Sequence, residues 1–226
     1  MFFRKVKSFF KHIMDQLASV YWNLKLFPLN IAVHMPLKVN YKMDFVKVYR
    51  GCIEIKGLLT RHMIKLGEIG ANFIGTDKGS FLCEKNGKLI FNGPVVFAEG
   101  TKICVETDGK LVFGENSYFG CNTSIQCQKE IEIGNNFLGG WNLCIRDTDG
   151  HTIIANGNRQ EYQEKVKIGE NVWIASDCTI LKGSYISDES IVACRSLVCG
   201  YKMDKPACLL AGSPAKVKKE NVKWEK

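Results

Sequence analysis

The sequence predicts an all-β fold, a parallel β-solenoid with a helical segment before it and a short tail after it. Two observations carry this prediction. Aliphatic residues recur at every sixth position near the C-terminus, and apolar tripeptides return at intervals of 20 and 22 residues upstream. A six-residue period is neither the 3.6 of a helix nor the 2 of an amphipathic strand. It indicates a short strand and a turn, repeated three times in each coil.

Length and composition agree with one folded unit. The chain has 226 residues, of which 46% are hydrophobic and 24% charged, which is close to the average for globular proteins and excludes a chain that is disordered throughout. The mean hydropathy is -0.08, and no uninterrupted apolar stretch approaches the roughly 18 to 20 residues that a spanning helix needs. We therefore expect no membrane-spanning helix.

The N-terminal segment, residues 1–45, is predicted to be helical and to cap the solenoid. Its apolar residues follow helical spacing. They are Val6, Phe9, Phe10, Ile13, Leu17 and Val20. Basic residues alternate with aromatic residues in this segment, a pattern that fits no secretory signal, so we expect a cytoplasmic protein. In that reducing compartment we expect the ten cysteines to be small buried residues, not disulfides or zinc ligands. The alternative for this segment is a helix that lies on a membrane surface.

Residues 46–200 are predicted to form the coils. The six-residue series is Ile168, Ile174, Ile180, Ile186, Val192 and Val198. The tripeptides at 89–91, 111–113, 131–133 and 166–168 are predicted to return to one face on successive coils. The last of these steps is 35 residues, from Ile133 to Ile168, so we expect a long excursion at about 147–165.

The charge of the chain is concentrated at its two ends. Residues 1–50 hold nine Lys and Arg against two acids (+7), residues 51–201 hold 15 against 18 (-3), and residues 202–226 hold seven against three (+4). A nucleic-acid-binding body would carry its basic residues along the folded unit. We therefore expect no nucleic-acid partner, and the tail, residues 201–226, is a candidate for contacts with phosphates.

Four segments resemble a known family. They are RDTDGH (146–151), WIASDCTILKG (173–183), IVACRSLV (191–198) and AGSPAKVKK (211–219). Together with the repeats they are similar to hexapeptide-repeat acyltransferases, and most similar to bacterial O-acetyltransferases that act on sugars of capsular polysaccharide or lipopolysaccharide. The resemblance covers roughly residues 60–219. It implies a left-handed parallel β-helix, a homotrimer, acetyl-CoA as donor and a sugar or glycan hydroxyl as acceptor.

His151 is the candidate general base of this reaction. His12 and His34 lie in the N-terminal segment, and His62 lies near its junction with the regular coils. His151 follows Ile133 by eighteen residues, one full coil, where an aliphatic residue is expected. A sugar hydroxyl must lose its proton as it attacks, and imidazole, with a pKa near about 6.5, suits that task.

Several other residues are candidates for the site. Asp147 and Asp149 could hold the imidazole in one tautomer or contact acceptor hydroxyls, and Asn122 and Asn142 are amide donors for the acceptor or an oxyanion, although Asn is also a routine corner residue. The resemblance implies six donor-binding residues. They are Trp173, Ala175, Ser176 and Cys194 along the pantetheine arm, and Lys216 and Lys219 toward the phosphates.

Three other chemistries can be compared with this one. An N-acetyltransferase on the same fold and a non-catalytic scaffold both stay open as alternatives. A zinc-dependent carbonic anhydrase of this fold needs three histidine ligands, which the coils do not supply, so we expect no metal. An acyl-enzyme on Cys144 or Cys178 is disfavoured because both fall where small buried residues are expected, so direct attack in a ternary complex is the simpler route.

Overall fold

A computed structural model describes residues 2–71 and 73–225 of the chain. It begins with two helices, α1 (Phe2–Leu26) and α2 (Leu29–Ala32). The strands of the first coils are β1 (Leu37–Val39), β2 (Asp44–Val46), β3 (Ile53–Ile55), β4 (Ile64–Glu68), β5 (Ser80–Cys83), β6 (Lys88–Phe91), β7 (Val95–Ala98), β8 (Lys102–Val105), β9 (Lys110–Phe113), β10 (Ser117–Phe119), β11 (Ser124–Cys127) and β12 (Glu130–Ile133). The later strands are β13 (Leu138–Gly139), β14 (Cys144–Arg146), β15 (Ile154–Ala155), β16 (Asn158–Arg159), β17 (Val166–Ile168), β18 (Trp173–Ile174), β19 (Thr179–Ile180), β20 (Tyr185–Ile186), β21 (Ile191–Val192), β22 (Leu197–Val198), β23 (Leu209–Gly212) and β24 (Ala215–Lys219).

The strands of successive coils stack into three sheets. We call them sheet A (β1-β4-β7-β10-β13-β18-β21-β23-β24), sheet B (β2-β5-β8-β11-β14-β19-β22) and sheet C (β20-β17-β12-β9-β6-β3). Coil strands pair in parallel, and only the last pair of sheet A, β23 with β24, is antiparallel. This confirms the predicted all-β fold, and the three-sheet coil matches the left-handed parallel β-helix that the resemblance implied.

The predicted repeat is the inward-facing core of the coil. Phe113 pairs with Ile133, and Ile133 pairs with Ile168, so the tripeptides do return to one face, which is sheet C. The side chains of the six-residue series, from Ile168 to Val198, are each no more than 1% exposed, and so are those of Phe91, Phe113 and Ile133 at the ends of the upstream tripeptides. Several phenylalanines are fully buried in the core, where the rings of Phe97 and Phe119 stack with centroids 4.8 Å apart.

The coil begins earlier than the sequence indicates. β1 and β2 already belong to sheets A and B, although they lie at or before the start of the segment expected to form coils. Irregular spacing between these first strands hides the six-residue period. The N-terminal end of the core is closed by Leu26 and Phe27, which are buried, and by Trp22, whose ring stacks 3.8 Å from that of Phe45.

The excursion leaves the coil after β14 and returns at β17. Thr148 and Gln163 form an antiparallel bridge at its base, and β15 and β16 form a hairpin at its tip. The register expected for His151 is therefore wrong. Ile168, not residue 151, lies one coil above Ile133, because the chain leaves the solenoid before that coil is complete.

Candidate active site

The outward side chains of sheet A form an apolar column. Residues that face outward from parallel strands in register lie above one another, coil after coil. Tyr118 pairs with Leu138, Leu138 with Trp173, and Trp173 with Ile191. All four side chains are half-buried. The column therefore offers a long apolar strip parallel to the axis of the coil.

A groove of about 310 Å³ lies along this column. It contains three of the predicted donor-binding residues, Trp173, Ala175 and Ser176. Its other lining residues are Ala71, Tyr118, Gly120, Cys121, Leu138, Gly139, Gly140 and Trp141. The lining carries no charged side chain, which suits an uncharged, flexible arm better than an ionic ligand.

Gly140 brings two coils together at the floor of the groove. A Cβ atom at this position would come within 2.6 Å of the Ser176 backbone nitrogen, so no larger residue fits without movement. The next peptide N–H, that of Trp141, donates a hydrogen bond to Ser176 Oγ at 3.2 Å. Ser176 therefore accepts a hydrogen bond from the backbone of the preceding coil and also lines the groove.

Residues 69–71 and 73–79, between β4 and β5, form one wall of the groove. Ala71 lines the groove, and the Phe73 ring lies edge-on to Trp141 with centroids 5.6 Å apart. Asn122 holds the loop, since its Nδ2 donates to the Gly75 carbonyl at 2.8 Å and its Oδ1 accepts from the Asp77 N–H at 3.1 Å. Nothing in the repeat pattern predicted this wall, because the loop interrupts the pattern.

Asn122 and Asn142 belong to a ladder of corner residues. Asn122 Nδ2 also lies 3.2 Å from Asn142 Oδ1, and Asn142 Nδ2 donates to Asp177 Oδ1 at 2.9 Å. All three have left-handed backbone, with φ between 55° and 60°. Asn and Asp tolerate this conformation better than most residues. The ladder explains their presence at the corner, and it engages both amides in contacts within the chain.

His151 lies at a different corner of the coil. It follows β14 of sheet B at the start of the excursion, is exposed, and precedes the return to sheet C. In a three-faced coil the corner between sheets B and C is opposite sheet A. The structure therefore places the histidine and the groove on different sides of one chain.

Asp147 anchors the loop that carries His151. Its carboxylate is fully buried and accepts hydrogen bonds from the backbone N–H groups of Gln128, at 2.7 Å, and Lys129, at 2.8 Å. Both oxygens therefore bind the turn of the coil below. These two bonds fix the start of the loop to the coil below it.

Asp149 lies one turn further out. Its carboxylate forms an ion pair with Lys182 at 2.8 Å, and its N–H donates to the Tyr162 carbonyl at 2.7 Å. Lys182 also donates to the Glu161 carbonyl, so it joins the two ends of the excursion. Within the described residues, no hydrogen bond joins His151 to either aspartate. The structure thus brings the three residues onto one loop without making a dyad.

The predicted phosphate-binding lysines lie at the C-terminal end of sheet A. Lys219 pairs with Leu209 and Lys216 with Ala211 across β23 and β24, and both lysines are exposed. Leu209 in turn pairs with Ile191, which continues the apolar column. The strip therefore runs from the groove to a basic end.

The cysteines divide into buried and accessible residues. Six of the ten are buried, as expected for small packing residues, whereas Cys194 and Cys199 are exposed. Cys178 is fully buried, and its burial raises the pKa of the thiol above the ordinary value. A protonated, inaccessible thiol is a poor nucleophile, which disfavours an acyl-enzyme at Cys178.

A larger cleft, of about 430 Å³, lies near the N-terminal end of the coil and contains none of the predicted site residues. Its carboxylates are paired, Asp44 with Lys78 and Asp77 with Lys102, each at 2.6 Å. Over residues 2–71 and 73–225, no three His, Cys, Asp or Glu side chains are grouped as a metal site would require. In the same part of the chain, no helix is both long and apolar enough to cross a membrane.

The chain is similar in sequence to several curated proteins, although no protein-family model matches it. It is 29% identical over 159 residues to an uncharacterised 24.8 kDa protein in the cps region of Klebsiella pneumoniae, with 70% of each chain covered. It is 32% identical to a galactoside O-acetyltransferase of Escherichia coli K12, over 56% of this chain and 58% of that protein. It is 27% identical to a polysialic acid O-acetyltransferase of Escherichia coli O1:K1, over 62% of this chain and 43% of that protein.

The fold is similar to that of a solved acetyltransferase. The crystal structure of the polySia-specific acetyltransferase NeuO matches with a TM-score of 0.52 and 20% identity, over 84% of each chain. The chain spans only about half the length of the galactoside and polysialic acid enzymes that it matches in sequence. The sequence relatives with a named activity are O-acetyltransferases, which agrees with the resemblance, and the solved structure supports the predicted fold.

Proposed function

We propose that this protein is an acetyl-CoA-dependent O-acetyltransferase that transfers an acetyl group to a hydroxyl of a sugar or surface glycan. The observation that carries the proposal is the uncharged groove on sheet A, which continues along an apolar strip to Lys216 and Lys219. Coenzyme A has a long uncharged arm and a phosphorylated end, and the strip offers apolar contact for the first and positive charge for the second. The choice of an acetyl group and of a sugar hydroxyl as its acceptor rests on the activities named for the relatives.

The residues of the chain have separate tasks in this reaction. Bound acetyl-CoA supplies the acetyl group as a thioester. His151 accepts the proton of the attacking hydroxyl, so that the new ester bond forms as the carbon–sulfur bond breaks, and the proton then passes to the departing thiolate. Asp147 is a positioning residue, because it ties the loop before His151 to the coil below. No cysteine acyl-enzyme is needed.

The site is completed between chains. Because His151 and the groove lie on opposite sides of one coil, we infer that His151 of one chain acts on a donor held by the sheet A groove of its neighbour in a homotrimer. Mixing two inactive variants tests this. Chains with His151→Ala and chains with Leu138→Glu, which damages the groove, should each be inactive alone.

Co-assembled in equal amounts, the two variants should regain about a quarter of wild-type activity, since a quarter of the interfaces then pair an intact histidine with an intact groove. Mass measurement by light scattering should give three chains. No recovery in a verified mixed trimer would contradict a site shared between chains.

The role of His151 is tested by comparing His151→Ala with His34→Ala, in which another exposed histidine is removed. The first variant should lower kcat about 10²- to 10⁴-fold, the usual contribution of a general base, while its Kd for CoA stays within about twofold. The control should keep full activity. Acceptors should include glycans with free hydroxyls and amino sugars, with labelled acetyl-CoA as donor.

Three outcomes would contradict the proposal. Substantial turnover by His151→Ala removes it as the base, and transfer only to amines identifies an N-acetyltransferase instead. Failure of the wild-type protein to bind CoA at millimolar concentration, measured by calorimetry, identifies a scaffold.

A further inference from the structure

The apolar face of helix α1 points away from the protein. Eight large apolar side chains on this helix are between 39% and 63% exposed. They are Phe9, Phe10, Ile13, Met14, Leu17, Val20, Tyr21 and Leu24. At 100° per residue these positions fall within an arc of about 140°, so they form one continuous face along the helix.

The opposite side of α1 attaches the helix to the coil, through the packing of Trp22 and Leu26 and through polar groups. Asn23 is fully buried, donates to the Leu37 carbonyl at 2.8 Å and accepts from the Leu37 N–H at 3.1 Å. Ser19 Oγ accepts from the Val39 N–H at 2.9 Å. These bonds satisfy β1, the edge strand of sheet A. The usual arrangement of a surface helix, with its apolar face inward, is thus reversed.

At the C-terminal end of the helix, Leu26 is fully buried and Trp22 stacks on Phe45, so this end contacts the core. The five residues from Phe9 to Val20 on which the capping prediction rested are all on the free face. They are Phe9, Phe10, Ile13, Leu17 and Val20, each at least 39% exposed.

The sequence of α1 carries an excess of positive charge. The sequence of α1 contains Arg4, Lys5, Lys7, Lys11 and Lys25, and its first turn has no acidic residue. Its one acid, Asp15, accepts the Tyr41 N–H at 2.8 Å and so faces the coil. A helix that combines a free apolar face with an excess of positive charge is complementary to a surface of anionic lipids.

We propose that α1 binds the surface of membranes that contain anionic lipids, with its apolar face inserted at the level of the headgroups and the helix axis parallel to the bilayer. The breadth of the face favours a membrane over a second helix, because a helix–helix seam is a narrower, two-column stripe. The proposal is independent of the acetyl transfer proposed above.

Vesicle sedimentation tests this proposal, with the full-length chain and two kinds of vesicle. One kind is phosphatidylcholine alone, and the other contains phosphatidylglycerol as well. The wild-type protein should bind the anionic vesicles and be released by high salt, because the charge contribution is screened. Phe10→Ser/Leu17→Ser should weaken the partition coefficient at least about tenfold, since it removes two of the most exposed apolar side chains of the face.

Lys5→Gln/Lys7→Gln should also weaken binding about tenfold, and only to anionic vesicles. The matched control is Val46→Ser/Leu58→Ser, which removes two exposed apolar side chains from elsewhere on the coil and should change nothing. Transfer to a soluble acceptor should be unchanged in all three variants.

Two results would overturn the proposal. One is failure of the wild-type protein to bind either kind of vesicle. The other is a change in oligomeric mass for Phe10→Ser/Leu17→Ser, measured by light scattering without lipid, which would identify the face as a contact between copies of the chain.

Discussion

Sheets A and C are built on the same repeat, yet their outward surfaces differ. From β7 onward, the outward column of sheet A is uncharged and consists of Val96, Tyr118, Leu138, Trp173, Ile191 and Leu209. Sheet C instead presents ion pairs, such as those of Lys110 and Lys165 with Glu130, at 2.9 and 3.2 Å. Because the inward residues are alike, only the outward column distinguishes the faces. An uncharged column is typical of a contact surface, and a charged one of a surface facing solvent.

The largest expected effect tests whether the two sheets are alike on the inside. Phe113→Ala in sheet C and Phe119→Ala in sheet A each remove a fully buried ring from the same stack, where the two rings lie 5.4 Å apart. Each should lower the free energy of unfolding by about 3 to 5 kcal/mol. Denaturant unfolding measures both. If only one of the two variants lost stability, the inward faces of sheets A and C would not be equivalent.

The next effect tests whether the sheets differ on the outside. Leu138→Glu places a carboxylate in the sheet A groove and should weaken CoA binding at least about 100-fold, because a charge is costly to desolvate there. The matched variant is Val112→Glu, also half-buried and outward but on sheet C, which should change binding less than about twofold. Calorimetry measures the Kd of both variants for CoA. Equal losses of affinity would contradict the assignment of the sheet A groove as the CoA site.

The basic end of sheet A should contribute less than the groove. Lys216→Gln/Lys219→Gln should weaken CoA binding about tenfold at low ionic strength and less at high salt, because exposed charges are screened. Lys223→Gln serves as the control, since this lysine pairs with Glu225 at 3.2 Å. A loss that does not depend on salt would point to a structural role for β24.

The smallest effect is expected on sheet C. A hydrogen bond to Glu132 raises the pKa of Lys165 above its ordinary value, and Lys165 Nζ lies 2.8 Å from Glu132 Oε2. Both side chains are about 40% exposed, so Lys165→Gln should cost at most about 1 kcal/mol of stability. Because the folded pKa is raised, the contribution is fully present below the ordinary lysine pKa and is lost as the pH rises through the folded value.

Unfolding of the wild-type protein and of this variant as a function of pH measures that contribution. Their stabilities should converge at alkaline pH, and CoA binding should be the same for both. A difference in CoA affinity would show that sheet C takes part in the donor site.

Local pattern alone predicted much of the fold and part of the site. The six-residue period predicted the sheet C register from Leu89 to Ile168, because each coil must bury the same positions against its neighbour. It failed for β1 and β2, where turns of unequal length hide the repeat. It also placed His151 inside the coil, since one full coil of eighteen residues ends there by count although the chain has already left the solenoid.

The sequence by itself determined the coil, the position of its excursion and the helical period of α1, since these depend on residues close along the chain. Only the tertiary structure decided that His151 and the groove lie on opposite sides of the coil, that Asp147 is buried in two backbone hydrogen bonds, and that Phe73 packs on Trp141. It also decided that Asn23 and Ser19 bind α1 to β1, while the broad apolar face of the helix is left exposed. The physical reason is that these contacts join residues distant in sequence, and a periodicity specifies which residues share a face but not what covers it.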